Sequence, residues 1–184
     1  MNMELMEHCN DVAEIAMDIA LEMKLCPFYI AQIGLAALYH DIGKEYIPNS
    51  ILNKPGKLTE DEQQMMIAHT YIGHWMIKAG ETDLADMISE VVLHHHENFD
   101  GSGYYCKKND DISLAARIIH LADVFSALTT DRAYRPAWDL DEAIYYIEKN
   151  SGTLFDPVVA DAFLSLVDRY TDLLLEVKDV KEAT

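Results

Sequence analysis

Residues 112–132 read ISLAARIIHLADVFSALTTDR, and this stretch decides the fold class of the chain. Apolar residues occupy nearly all sides of its helical wheel, which is typical of a helix that is buried all round. The segment is therefore predicted to be the central helix. No part of the sequence keeps the two-residue alternation of a strand for long. We expect an all-α fold.

The segments on either side have the periodicity of amphipathic helices. Residues that signal helix starts are Pro27, Thr59 with Glu62 as a capping box, Thr82 or Asp83, Asp139, and Asp156 with Pro157. The helix that begins at Pro27 is expected to stop near Gly43. Residues 47–58 and 98–111 are predicted loops. The prediction is one domain over residues 1–184, of about seven helices, with no separate regulatory domain.

The amino-acid composition of the chain limits the partners and substrates that it can bind. The 184 residues include 14 Lys and Arg against 32 Asp and Glu, for a net charge of -18, which repels duplex nucleic acid and anionic membranes. An anionic substrate must therefore be small and held by a local cluster of cations. Three cysteines without a C-x-x-C pair, an acidic N-terminus and no apolar run near ~20 residues predict a cytoplasmic protein.

Asp123 lies inside the most apolar helix, where an unpaired carboxylate would be costly to bury. Two interpretations remain open. Asp123 forms an ion pair with Arg117 or another cation, or it binds a metal ion. The metal interpretation gains weight because further candidate ligands occur elsewhere in the chain.

A second decisive stretch, VVLHHHENFDGSGYY, spans residues 91–105. His95 continues the apolar stripe of its helix and should point into the domain. His94 and His96 fall about 100° to either side, and the helical wheel does not separate them. Three successive histidines beside Glu97 make a purely structural explanation weak.

Other candidates are weak singly. His40 and Asp41 close an apolar helix, where they could simply cap it. His69 precedes Gly73 by one turn, and Glu4 and His8 share a helix face. The candidate set is His8, His40, Asp41, His69, His95, His96 and Asp123. This mixture of imidazole and carboxylate suits Fe, Mn, Zn or Ni rather than Ca or Mg, and seven ligands imply a pair of ions.

At this point the sequence resembles a known family. The motifs are HDIGK (40–44), IPNSILNKPGKLT (47–59), HTYIG (69–73), HHENFDGSGY (95–104), ADVFSALTTDRAYRP (122–136) and GTLFDPVVADAFL (152–164). Together they are similar to the HD-GYP domains, a group within the HD superfamily of metal-dependent phosphohydrolases. The likeness covers roughly residues 4–164.

The resemblance implies a helical phosphodiesterase that cleaves a cyclic dinucleotide, above all cyclic di-GMP, through a hydroxide bridging two metal ions. Iron and manganese are the implied metals. The implied metal ligands are His8, His40, Asp41, His69, His95, His96 and Asp123, with Glu4 added where a third ion binds. Asp41 would bridge the ions, and His94 has no counterpart. The implied catalytic residues are Asp41 and Lys44, and the implied substrate-binding residues are Tyr104, Arg132 and Arg135.

The chain departs from the family at three places. The Gly-Tyr-Pro triplet reads Gly103-Tyr104-Tyr105, the following loop is about one residue short, and Asp11 stands where arginine is common. These changes concern substrate choice and partner binding more than metal binding. Two alternatives therefore stay open: a nucleotide phosphohydrolase of the same superfamily, and a metal-binding signalling module with weak or no activity. The expected partner is a cyclic dinucleotide, with a signalling protein or a second copy of the chain as protein partners.

Overall fold

A computed structural model of the protein describes residues 3–131 and 136–182, with side chains described through residue 170. Within these residues the chain forms eight α-helices and two 3₁₀ turns. The helices are α1 (Met3–Glu22), α2 (Pro27–Tyr39), α3 (Asn49–Leu52), α4 (Glu60–Lys78), α5 (Asp83–His94), α6 (Leu114–Thr129), α7 (Leu140–Lys149) and α8 (Pro157–Glu182). The 3₁₀ turns are Ile42–Tyr46 and Asn109–Asp111. The all-α prediction is confirmed.

Helix α6 is central, as its apolar sequence predicts. Its residues Ile118, Ile119 and Leu121 have no exposed surface. Helices α1, α2, α5, α7 and α8 all contact α6. One hydrophobic cluster draws buried residues from α6 and from each of these five helices. No helix in the described residues is long and apolar enough to cross a membrane.

Most predicted helix starts are confirmed. Thr59 and Glu62 form a reciprocal capping box at α4, and the Thr82 hydroxyl accepts a bond from the Ala85 N–H at α5. Asp139 caps α7 in the same way. These side chains satisfy amide groups that a helix leaves without partners in its first turn.

Two local predictions differ from the structure. Residues 49–52 lie in a predicted loop but form the helical turn α3, which raises the count to eight α-helices. The turn forms because Pro48 restricts the backbone at its start while Ile51 is buried. Helix α2 stops at Tyr39, before Gly43, which lies inside the next 3₁₀ turn.

Arg117 has carboxylate partners other than Asp123. Its Nη1 lies 2.5 Å from Asp156 Oδ2 and 3.3 Å from Asp110 Oδ1. Asp156 Oδ1 also accepts a bond from the Val158 N–H at the start of α8. The Arg117 side chain is 15% exposed and that of Asp156 is 4% exposed. This pair joins α6 to the N-terminus of α8.

Replacement of Arg117 by alanine should therefore lower the free energy of unfolding by about 3–5 kcal/mol, because it leaves the Asp156 carboxylate buried without its cation. Arg169, which is 54% exposed and pairs with Glu22, is the matched control. Arg169→Ala should cost no more than about 1 kcal/mol. Urea unfolding of both variants measures the difference. Equal losses would contradict the role given to Arg117.

Candidate metal centre

The centre begins where α2 ends. His40 follows the last helical residue, and its Nδ1–H donates to the Ala37 carbonyl at 2.7 Å. Asp41 comes next and is fully buried with His40. The chain then enters the 3₁₀ turn, in which the Lys44 N–H donates to the Asp41 carbonyl. The Lys44 ammonium also folds back and pairs with Asp41 Oδ2.

His69 and His95 reach the same point from two other helices. The His69 Nδ1–H donates to the Met66 carbonyl within α4 at 2.6 Å. The His95 Nδ1–H donates to the Val92 carbonyl at 2.8 Å, just past the end of α5. Both rings are buried. The backbone bonds fix each ring so that its Nε2 points into the centre.

The three successive histidines diverge because α5 ends among them. His95 and His96 turn to the centre, and the His96 side chain remains 22% exposed. His94 turns away and is buried against other groups, with its Nδ1–H donating to the Glu90 carbonyl at 3.0 Å. The ring of His94 contacts the ring of Tyr105.

The two oxygens of Asp41 face different histidines. Oδ1 lies 3.3 Å from His69 Nε2 and 3.7 Å from His95 Nε2. Oδ2 lies 3.3 Å from His40 Nε2 and 4.0 Å from His8 Nε2. A carboxylate placed in this way offers one oxygen to each of two neighbouring cation positions.

Asp123 contacts the histidines of the centre from α6. Its Oδ1 lies 3.0 Å from His8 Nε2 and 3.9 Å from His40 Nε2, while its Oδ2 lies 3.9 Å from His96 Nδ1. The structure thus brings together all seven residues of the candidate set. They form three overlapping groups whose ligand atoms lie within 4.8 Å of one another: Asp41, His69, His95 and His96; His8, His40 and Asp41; and His40, His95 and Asp123.

The donor atoms fit metal ions better than they fit one another. His69 Nε2 and His95 Nε2 are 3.5 Å apart, although the Nδ1 of each ring already carries the proton given to a carbonyl. Two bare nitrogens cannot form a hydrogen bond. His40 Nε2 and Asp41 Oδ1 are buried without a hydrogen-bond partner. Such groups are costly to bury unless a cation binds them.

The protonation states also suit metal binding, because ligands must be deprotonated. Burial lowers the pKa of His95 to about 4, and burial together with the nearby His95 holds the pKa of His96 well below its usual value. Burial alone would raise the pKa of Asp41, but Lys44 and His40 outweigh it and bring that pKa well below the ordinary range. Burial alone would also raise the pKa of Asp123, but the bond from His8, together with the charges of His40 and His96, brings that pKa well below the ordinary range.

The pKa of His40 moves the other way. Burial would lower it, yet the Asp41 carboxylate beside it raises it well above the usual value. The raised pKa favours the protonated ring, whose positive charge lies beside the buried carboxylates. A bound metal ion would supply that positive charge instead.

Two further predicted site residues, Tyr104 and Glu4, are placed less centrally. Tyr104 lies at the edge of the centre, with its ring 4.9 Å from the ring of His96. Glu4 is exposed on α1 and is in none of the three ligand groups formed by the described residues. Arg132 and Arg135 lie outside the described residues.

Glu4→Gln is expected to leave the metal content unchanged, because the Glu4 carboxylate is exposed and stands apart from the ligand groups. Elemental analysis of wild type and variant after identical loading with Mn²⁺ measures this. His8→Gln is the positive control and should lose metal. A loss of one ion per chain in Glu4→Gln would instead assign Glu4 to a third ion.

Sequence reasoning missed Glu97. This residue follows His96 directly, and its carboxylate is buried. Glu97 Oε1 and Oε2 accept bonds from the N–H groups of Tyr105 and Lys107, each at 2.7 Å. The only sequence signal was an acid adjoining a buried histidine run, and the bonds to backbone groups leave no pattern in side-chain spacing.

The chain is similar to known proteins of one domain family. The profile of the HD domain family matches residues 2–159. A cyclic di-GMP phosphodiesterase of Thermotoga maritima is 38% identical over 179 residues, covering 97% of this chain and 49% of that protein. A 3′3′-cGAMP-specific phosphodiesterase of Vibrio cholerae is 43% identical over 144 residues, covering 75% of this chain and 31% of that protein.

The solved structure of Bd1817, an HDG"Y"P protein from Bdellovibrio bacteriovorus, shares the fold with a TM-score of 0.73 at 15% identity. The match covers 89% of this chain and 52% of that one. The chain spans half or less of the length of these curated relatives. The profile match over most of the chain, with the relatives above, shows that this chain belongs to the HD domain family and, within it, to the HD-GYP group.

Proposed function

We propose that this chain is a metal-dependent phosphodiesterase that hydrolyses a cyclic dinucleotide, with cyclic di-GMP as the foremost substrate. The proposal also takes residues 1–184 as one catalytic domain. It is supported by the names of the relatives and by the ligand geometry. Iron or manganese is the proposed metal, because mixed imidazole and carboxylate ligands favour such ions.

One observation carries the proposal. Asp41 sits between two sets of histidines, with Oδ1 facing His69 and His95 and Oδ2 facing His40 and His8. We assign Asp41 as the bridging ligand of two ions. His96 and Asp123 complete the proposed ligand set. When bound, the ions supply an activated water and neutralise the charge that builds on the phosphoryl oxygens.

Side chains at the rim of the centre are proposed to orient the substrate. Lys44 pairs with Asp41 Oδ2 and is 21% exposed, and its ammonium is proposed to donate as well to a phosphate oxygen of the substrate. The ring of Tyr104 is 39% exposed beside His96, where a nucleobase can stack on it. The proposed phosphate contacts of Arg132 and Arg135 rest on the family likeness alone.

A cavity beside Lys44 provides room on one side of the centre. Its volume is about 250 Å³, and its lining residues are Leu5, Lys44, Glu45, Ile47, Asn49 and Leu52. This is smaller than the roughly 300–1,000 Å³ of drug-sized ligand pockets. A cyclic dinucleotide would therefore extend beyond this cavity.

Product analysis tests the proposal. Chain purified and loaded anaerobically with Fe²⁺ or Mn²⁺ is incubated with cyclic di-GMP, 3′3′-cGAMP and a mononucleotide, and the products are separated by chromatography. Cleavage of a cyclic dinucleotide to the linear dinucleotide or to mononucleotides is the expected result. Release of phosphate from the mononucleotide alone would favour a nucleotide phosphohydrolase. Bound metal without turnover of any substrate would favour a signalling module.

A further inference from the structure

The loop that carries Tyr104 is held by a buried carboxylate. Both oxygens of Glu97 are occupied by backbone N–H groups of this loop, those of Tyr105 and Lys107. The loop also folds tightly onto Glu97 at Gly103, where an added Cβ would lie 2.5 Å from the Glu97 Cα. Glu97 follows His96 directly, so the loop is anchored to the segment that supplies two proposed metal ligands.

Tyr105 provides the first bond because it is not proline. Proline has no N–H group. The family triplet carries proline at this position, and this chain carries tyrosine. With proline here, Glu97 Oε1 would lose its donor while remaining buried, which is more costly than the loss of an exposed bond.

The side chain of Tyr105 adds a second anchor on another helix. Its hydroxyl lies 2.8 Å from Thr70 Oγ1, and Thr70 is buried next to His69 on α4. The Thr70 hydroxyl already donates its proton to the Ile67 carbonyl at 2.9 Å. The Tyr105 hydroxyl must therefore donate to Thr70. The ring also packs edge-on against His94.

We propose that Tyr105 is a positioning residue: its bond to Glu97 ties the loop to the segment after His96, its bond to Thr70 ties the loop to α4, and together they hold Tyr104 beside His96. One anchor directly follows His96 in the sequence, and the other directly follows His69. Tyr104 is the residue immediately before Tyr105, so its position depends on both. The consequence for catalysis rests on the proposed function, whereas the anchoring of the loop does not.

Tyr105→Phe removes only the bond to Thr70. We expect faster hydrogen exchange in the peptide 97–107, measured by mass spectrometry, with unchanged metal content and a melting temperature lowered by no more than about 6 °C. For cyclic di-GMP we expect KM to rise about 2- to 10-fold with kcat nearly unchanged, as the loss of one neutral hydrogen bond predicts. Tyr145→Phe, which changes an exposed tyrosine on α7, is the matched control and should alter none of these quantities.

Thr70 variants separate positioning from a general loss of packing. Thr70→Val should reproduce the faster hydrogen exchange of the peptide 97–107, whereas Thr70→Ser keeps a hydroxyl and should exchange at the wild-type rate. The double variant Tyr105→Phe with Thr70→Val should exchange little faster than either single variant. Tyr105→Pro removes both anchors and should raise KM more than Tyr105→Phe does.

The outcomes distinguish this inference from the proposed function. Unchanged exchange in Tyr105→Phe, or fully additive effects in the double variant, would overturn the anchoring. Faster exchange with unaltered KM would overturn its role in substrate binding. If the variants show the expected changes in hydrogen exchange but the wild-type chain cleaves no cyclic dinucleotide, the proposed function is overturned and the loop anchor stands.

Discussion

Asp41→Ala is expected to abolish both phosphodiesterase activity and the binding of a pair of metal ions. Each oxygen of the buried Asp41 carboxylate lies within 4.0 Å of two histidine nitrogens, so its removal takes a proposed ligand atom from both sets of histidines at once. The loss in metal affinity should exceed the roughly 10- to 100-fold effect of removing an outer-shell partner. Elemental analysis after loading, together with turnover of cyclic di-GMP, measures both effects.

Lys44→Ala is the matched control for this prediction. It removes the ammonium that pairs with Asp41 Oδ2 but leaves all seven proposed ligands in place. We expect it to retain the metal content and to lose rate, because its proposed partner is a phosphate oxygen of the substrate. Two ions retained by Asp41→Ala would contradict the bridging role. Ions lost from Lys44→Ala would contradict the role given to Lys44.

The sequence predicted the fold largely through α6 and the helix caps. An apolar helix with a single carboxylate had to be central, and its Asp123 needed a positive partner. Sequence reasoning alone left Arg117 as one such partner. The structure pairs Arg117 with Asp156 and Asp110, while Asp123 faces His8, His40 and His96. Choosing between these partners requires distances between helices, which periodicity does not contain.

The histidine run shows a second limit of sequence reasoning. A helical wheel assumes that each residue turns about 100° from the last. Here α5 ends at His94 and His95 keeps a helical backbone, so the wheel places His95 correctly, but no helix continues to place His96. The family likeness, rather than the wheel, had distinguished His96 from His94. The Glu97 bonds were missed for a related reason, because they join a side chain to backbone amides eight and ten residues later.

Gly43→Ala should disrupt the centre from outside the ligand set. A Cβ at Gly43 would lie 2.0 Å from the His69 carbonyl oxygen and 2.8 Å from the Gly73 nitrogen. Both contacts are backbone atoms of α4, which cannot rotate aside as a side chain can. The 3₁₀ turn would have to move away from α4, and Asp41 would leave its position 3.3 Å from His69 Nε2.

We therefore expect Gly43→Ala to lower the free energy of unfolding by more than the roughly 1–3 kcal/mol typical of overpacked cores, and to lose metal binding. Gly34→Ala is the matched control. Its Cβ would meet only the flexible side chain of Met17, with Sδ at 2.6 Å, and alanine is the better helix former. Urea unfolding and elemental analysis of both variants make the comparison. A Gly43→Ala chain with wild-type stability and metal content would show that the turn does not need to approach α4 this closely, and Asp41 would then owe its position to its own contacts rather than to Gly43.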